Sequence, residues 1–277
     1  MSAYTKLSIH ATEEQGEILS AYLADFPFDS FDYAEEMFNA YIQQTELGEC
    51  QAELEELLHN EGILDYYFED IEQQNWNEVW ESNFEEVEVR DKVLIRAPFH
   101  KARPNYPGLE VIIQPKMSFG TGHHATTRLM IEMLLGMELN GKRVLDMGSG
   151  TGVLAIVAAK LGCENVLAVE IDDMAEESVR ENIELNSVAD KVESICGDAS
   201  AIACREFDIV LANINRNILL ADMESYVTTL QSGGSLVISG FLEEDIEPLT
   251  KRAKSLGLKH VEQLACQEWR AVKYTKG

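Results

Sequence analysis

Along the first 72 residues the apolar positions keep two rhythms in turn. YTKLSIHA (4–11), MFNAYIQQT (37–45) and ILDYYFEDIE (63–72) are short strand-like runs. EEQGEILSAYLADF (13–26) places Ile18, Leu19, Tyr22 and Leu23 at helical spacing, and CQAELEELLHNEG (50–62) reads as a second helix ended by Gly62. The order strand, helix, strands, helix, strand predicts a small α+β sandwich of the ferredoxin-like type over residues 1–72. No constellation of catalytic groups falls in it, so it reads as a recognition module. NWNEVWESNF follows, with Trp76 and Trp80 one helical turn apart, and predicts a linker helix over 73–84.

Residues 85–277 read differently. FEEVEVRDKVLIRAP and LEVIIQP supply alternating strands around the turn RPNYPG. From Arg143 the alternation of elements becomes regular. RVLDMG, NVLAVEI, KVESICG, FDIVLANI and GSLVISG are strands, and GVLAIVAAKLG, MAEESVRENIELN, NILLADMESYVTTL and EEDIEPLTKRAKSLG are helices. Apolar strands joined by helices of this length predict an α/β domain, a Rossmann-like, mostly parallel, doubly wound sheet. The tail LKHVEQLACQEWRAVKYT reads as a closing hairpin, because no helix is left for another crossover.

Composition narrows the class. The 277 residues are 45% hydrophobic and 26% charged, as in ordinary globular proteins, and no apolar run approaches the roughly 20 residues of a membrane span. MSAYTKLSIHATEEQ lacks the basic-then-apolar pattern of a signal peptide, so a cytoplasmic location and no membrane partner are expected. Five scattered cysteines without a C-x-x-C pair read as reduced thiols. With no long apolar patch or coiled-coil repeat, a monomer is expected.

Charge changes the picture further. The net charge is −27, yet residues 1–80 hold 19 acidic side chains against the single basic Lys6, so −18 of it lies there. Such a surface repels phosphate backbones, which disfavours direct nucleic-acid binding. It suits a basic partner, drawn in by long-range steering.

Candidate chemistry gathers at strand ends, where ligands bind in such folds. VLDMGSGTGVLAI (144–156) ends the first core strand in a G-x-G-x-G turn, with Gly148 and Gly150 allowing close backbone approach. Glu170 ends the next strand, where a carboxylate can take both hydroxyls of a ribose. A dinucleotide site would share these features, but its glycines run G-x-G-x-x-G, and here Asp146 precedes the first glycine. An anion there opposes a pyrophosphate and suits an ammonium group. S-adenosylmethionine has an ammonium, a sulfonium and an adenosine, and no phosphate, so it is the expected cofactor. Asp198, in CGDAS, is placed to accept from the adenine amino group, and Asn213, in LANIN, opens toward the reacting methyl. Upstream, MSFGTGHHATT (117–127) reads as a lid over the cofactor. Phe119 is its apolar wall, Gly120 and Gly122 let it fold, and Thr126 and Thr127 are N-cap candidates for the helix that follows. That helix N-terminus attracts a carboxylate. Adjacent His123 and His124 lack acidic or cysteine co-ligands and are read as non-metal.

FGTGHHATT, VLDMGSGTGVLAI, AVEID and ANI, in this order and spacing, resemble the ribosomal protein L-eleven methyltransferase family (PrmA type). The resemblance spans the chain, since that family joins a small ferredoxin-like substrate domain, a linker helix and a class I methyltransferase domain. It implies methyl transfer from S-adenosyl-L-methionine to lysine side chains and the N-terminal amine of a basic large-subunit ribosomal protein. It also implies cofactor contacts by Thr127, Gly148, Glu170 and Asn213. Asn213, whose side-chain oxygen can accept the amine's hydrogens, is the expected catalytic residue. In NINRNIL, Asn215 and Arg216 replace the more usual apolar continuation. The rivals are a class I lysine methyltransferase of a non-ribosomal protein and a non-catalytic S-adenosylmethionine-binding scaffold. A glutamine methyltransferase would carry N-P-P-Y at the fourth strand end, which this chain lacks.

Overall fold

A computed structural model gives the arrangement of residues 4–34, 37–71, 84–116 and 119–277. The chain divides into two compact units, Met1–Phe84 and Glu85–Gly277. The expected linker helix with Trp76 and Trp80 falls outside the described residues but for Phe84, and so do Met117 and Ser118 of the lid.

The first unit runs β1 (Tyr4–His10), α1 (Glu13–Leu23), β2 (Phe28–Ala34), β3 (Met37–Gln43), α2 (Gln44–Asn60) and β4 (Tyr66–Ile71). Its sheet has the order β2-β3-β1-β4 with every pair antiparallel, the ferredoxin-like arrangement. Thr12 and Gln15 close a capping box at the start of α1. Leu7, Ile9, Phe38, Ala40 and Ile42 pack on Leu19, Leu23, Leu54 and Leu58. Helix α2 begins at Gln44, six residues before the sequence pattern placed it, because Leu47 joins Leu54 and Leu58 on the buried face. Strand β2 was not delimited in the pattern, since it is an edge strand, exposed along most of its length and with a register shift between Phe28 and Ser30.

In the second unit β5 (Val87–Val89), β6 (Val93–Arg96) and β7 (Leu109–Ile112) form a small sheet. Helix α3 (Ala125–Leu135) leads to the main sheet, built from β8 (Arg143–Met147), β9 (Asn165–Glu170), β10 (Val192–Cys196), β11 (Phe207–Asn213), β12 (Leu230–Leu242), β13 (Leu258–Cys266) and β14 (Trp269–Lys276). The strand order is β10-β9-β8-β11-β12-β14-β13, and only β14 runs antiparallel to its neighbours. The connecting helices are α4 (Val153–Lys160), α5 (Asp173–Leu185), α6 (Arg216–Thr229) and α7 (Ile246–Ser255).

Successive strand residues face opposite layers. Val144, Ala168 and Leu211 join the core shared with α3, α4 and α5, whereas Leu145, Leu167 and Val210 join the core shared with α6 and α7. Because both layers are apolar, the strands read as continuous hydrophobic runs. The chain leaves β8 toward β9 on one side and returns to β11 on the other, so the switch point opens at the carboxyl ends of β8 and β11. No helix among the described residues is long and apolar enough to cross a membrane.

Candidate active site

A cavity of about 510 Å3 lies at this switch point. Of the residues singled out in the sequence, Phe119, His124, Thr126, Gly148, Gly150, Glu170, Asp198 and Asn213 line it, while Gly120, Thr127 and Asp146 do not.

The glycine turn is closed from both sides. Gly148 has φ +70°, and a Cβ there would meet the Ile214 Cγ2 at 2.3 Å; Gly150 has φ +57°, and its Cβ would meet the Phe119 carbonyl oxygen at 2.2 Å. The lid is tied to this turn by main-chain acceptors. The Thr151 N–H donates to the Phe119 carbonyl at 2.9 Å, and the Thr151 hydroxyl donates to the Gly120 carbonyl at 2.7 Å. Gly120 therefore braces the loop rather than facing the cavity, since its own Cβ position points at the Thr151 Oγ1.

Glu170 is held by the backbone around it. One oxygen accepts from the Gly150 N–H at 2.8 Å and the other from the N–H groups of Ile171 and Asp172, at 2.9 and 3.3 Å. The oxygen that accepts from Gly150 keeps acceptor capacity toward the cavity. Asp198 caps the short turn 199–202, its Oδ1 accepting from the N–H and hydroxyl of Ser200, and these bonds hold its carboxyl below the usual range.

Asp146 is buried. Its Oδ2 accepts from the Ala155 N–H at 3.1 Å, and burial pushes its carboxyl up to about 7, with the Glu170 charge acting in the same direction. It does not line the cavity because its side chain points into the layer under α4. Thr127 is likewise enclosed, in the first turn of α3.

His124, and neither threonine, is the N-cap of α3. Its Nδ1 accepts from the Thr126 N–H at 3.3 Å and lies 2.8 Å from the Thr126 hydroxyl. Burial lowers its pKa, which keeps Nδ1 free to accept. The ring also packs between Phe119 and Trp269, with centroids 5.1 and 4.7 Å away, and closes one side of the cavity. Trp269 opens β14, and the sequence gives no local sign that it returns here. Ile218, Asp222 and Tyr226 of α6 also line the cavity and went unnoticed in the sequence. Their four-residue spacing was the available signal.

The departure in NINRNIL has a structural account. Asn215 caps α6, accepting from the Ile218 N–H at 3.1 Å, and Arg216 pairs with Asp245 at 2.8 Å.

Six buried side-chain polar atoms among the described residues lack a hydrogen-bond partner, and four belong to this region: Thr127 Oγ1, Asp146 Oδ1, Ser149 Oγ and Asn213 Oδ1. An unsatisfied buried polar group costs about 1–3 kcal/mol, and of the four only Asn213 lines the cavity, where a ligand can satisfy it. The described residues lining the cavity include three carboxylates, Glu170, Asp198 and Asp222, and no lysine or arginine. A cationic, phosphate-free ligand with hydroxyl and amino donors fits this set, and S-adenosylmethionine is such a ligand.

Comparison with known proteins agrees. The model of the family described as ribosomal protein L11 methyltransferase (PrmA) matches residues 6–277. A protein of that name from Porphyromonas gingivalis is 47% identical over 263 residues, covering 94% of this chain and 90% of the relative. One from Bacteroides fragilis is 41% identical over 95% of each chain. Among solved structures, a ribosomal protein L11 methylase from Lactobacillus delbrueckii subsp. bulgaricus superposes with a TM-score of 0.65 at 23% identity, covering 70% of this chain and 99% of its own. A methyltransferase from Pyrococcus furiosus gives 0.51 at 21% identity, over 60% and 89%. The chain belongs to the ribosomal protein L11 methyltransferase family, and it is a class I methyltransferase that uses S-adenosylmethionine.

Proposed function

We propose that this enzyme methylates amines of ribosomal protein L11, lysine side chains and the N-terminal amine, and that the acidic residues 1–72 serve to capture that basic substrate. It acts in the cytoplasm as a monomer, without nucleic acid or membrane as direct partner. The observation that carries the reading is Asn213. It ends β11 at the cavity, and its amide oxygen is buried without a partner, an acceptor waiting for a donor at the place where the reacting groups meet.

In this reading the Gly148–Gly150 turn holds the amino-acid end of the cofactor, with the enclosed Asp146 and Thr127 acting on it from behind the turn. Glu170 takes the ribose hydroxyls, the second oxygen of Asp198 accepts from the adenine amino group, and Phe119 covers the ligand with Gly120 bracing it. The bound cofactor supplies a methyl group on a positively charged sulfur. The protein's part is alignment: the Asn213 oxygen accepts a hydrogen from the incoming amine and turns its lone pair toward the methyl carbon. Ile214, Ile218 and Trp269 give the cavity an apolar wall. Their exclusion of water lowers the pKa of an amine from its ordinary value of about 10.4 and favours the neutral, attacking form. The negative field of the first unit acts earlier, on encounter, and is screened beyond about 10 Å at 0.1 M salt.

The test is methyl transfer from labelled S-adenosylmethionine to free ribosomal protein L11, to ribosomes lacking the modification and to naked ribosomal RNA. Labelling of lysines and the N-terminus of the free protein, with none of the RNA, is the expected result. Labelling of the RNA, or cofactor binding with no transfer to L11, would remove the substrate assignment.

A further inference from the structure

We infer that Asp222 is a specificity-determining residue of the same cavity, whose carboxylate receives the acceptor amine in its cationic form. The inference rests on the amine-methylating reading above and adds to it the group that selects the acceptor's charge.

Ile218, Asp222 and Tyr226 follow one another at four-residue intervals on α6 and line the cavity together. The neighbouring stripe of that helix, Leu219, Met223 and Val227, is buried in the core. A carboxylate beside such a stripe contributes nothing to packing and is costly to desolvate. The other two lining carboxylates are each held by neighbouring donors: Glu170 accepts three N–H groups, and one oxygen of Asp198 accepts the N–H and hydroxyl of Ser200. Asp222 differs. Its one hydrogen bond among the described residues is a long one, from the Tyr226 hydroxyl to Oδ2 at 3.4 Å, and Oδ1 has none. No lysine or arginine among the described residues lines the cavity to neutralise it. A carboxylate with spare acceptor capacity, in a cavity that holds no cation of its own, matches a ligand that brings a positive charge. Ammonium–carboxylate hydrogen bonds are the strong, charge-assisted kind. The adjoining Ile218, exposed on the same helix, offers apolar surface to the aliphatic stem of a lysine.

Asp222 and Asn213 then act in succession. Asp222 holds the ammonium form, which cannot attack. After a proton leaves to solvent, Asn213 accepts from the neutral amine. The nitrogen lone pair forms the N–C bond as the C–S bond breaks, and the bonding pair stays on sulfur. The methylated ammonium that results loses its extra proton to solvent.

The experiment measures initial rates against L11 concentration and pH for the wild type, Asp222→Asn and Asp222→Glu. Cofactor affinity and thermal midpoint are measured alongside. Asp222→Asn is expected to raise KM for L11 about tenfold, with a smaller change in kcat. It should also move the rising limb of the kcat–pH profile to lower pH, because removing an anion lowers the pKa of the bound amine. Cofactor affinity should stay within about twofold, and Asp222→Glu should recover most of the KM. An unchanged KM and pH profile would overturn the inference while labelling of L11 by the wild type leaves the substrate reading intact. A parallel loss of cofactor affinity would overturn it too, by assigning Asp222 to cofactor binding. Failure of the wild type to label any amine of L11 would bring down both.

Discussion

The two edges of the seven-stranded sheet are built from similar residue types and treat them in opposite ways. At the amino ends of the strands, charged groups are paired with one another. Asp208 accepts from the Arg143 N–H at 2.9 Å and from Lys142 at 3.3 Å, and Arg205 meets Glu193 at 3.2 Å. At the carboxyl ends, Thr127, Asp146, Ser149 and Asn213 each keep a buried polar atom unpartnered. Stability arguments favour the first pattern everywhere, since a paired polar group costs little and an orphaned one costs about 1–3 kcal/mol. The second pattern marks the edge at which stability yields to binding. The contrast predicts that substitutions at the carboxyl edge alter turnover or cofactor affinity, and that substitutions at the amino edge alter stability alone.

The largest effect should come from Asn213→Ala. Removing the one unpartnered amide oxygen at the end of β11 relieves a native-state cost, so the thermal midpoint should hold or rise. Turnover should fall by about 100-fold, the scale for removing a single aligned polar group from a reacting centre. Cofactor affinity should change much less. Steady-state rates with labelled cofactor, beside calorimetric titration, separate the two, and an unchanged kcat would end the assignment of Asn213.

Next in size is Gly150→Ala. The added Cβ would lie 2.2 Å from the Phe119 carbonyl oxygen at a positive φ, so the lid and the glycine turn must separate. Because the obstructing atom is backbone, relief requires moving the loop. The Thr151 bonds to Phe119 and Gly120 would be broken with it. Cofactor affinity should drop by about tenfold or more, and small-residue replacement at Gly233, at the other edge, offers a comparison. Gly233 also has a positive φ but meets nothing within 4 Å, so its replacement carries backbone strain without a clash.

The paired and unpaired edges also differ in how pH acts on them. Burial holds Asp146 at about 7, above its unfolded value of about 3.9. A raised carboxyl pKa means that the native state keeps a proton the unfolded chain releases, so its contribution to stability declines as pH rises from about 4 to 7. A cationic cofactor favours the ionised form. Binding below pH 7 should therefore release up to one proton, and affinity should weaken by up to about tenfold per pH unit on going more acidic. Asp146→Asn should flatten that dependence. Calorimetry in buffers of different ionisation enthalpy reads the proton directly, and equal slopes in the two proteins would contradict it.

How much of this was legible in the sequence follows from the range of the signals. Gly148, Gly150, Glu170 and Asn213 were visible because each is a local event, a strand ending in a turn at a fixed place in a repeating pattern. Their positions on one cavity follow from the topology. His124 escaped notice as a cap because serine and threonine are the usual choice and two threonines stood beside it. Trp269 reaches the cavity only through strand pairing at long sequence separation, which no window of residues encodes, and the four-residue spacing of Asp222 marks a helix face without saying which cavity it meets. In the first unit, β2 was hidden for a different reason. An edge strand that buries little has no alternation to show.

The smallest effect belongs to the amino edge and is the sharpest control on the comparison. Burial alone would raise the Asp208 pKa, but the Arg143 N–H and the charges of Lys142 and Arg143 outweigh it and hold the carboxyl below its ordinary value. A depressed carboxyl pKa contributes stability that is fully present above about pH 3.9 and is lost as pH falls through the folded value. Asp208→Asn should therefore cost about 0.5–1.5 kcal/mol at neutral pH and less in acid. It should leave kcat, KM and cofactor affinity unchanged. Denaturant unfolding at pH 7 and well below the ordinary carboxylate value of about 3.9 reads the first, and the labelling assay reads the second. A substantial loss of turnover in Asp208→Asn would mean that the sheet transmits strain from one edge to the other, and the division of labour between them would not hold.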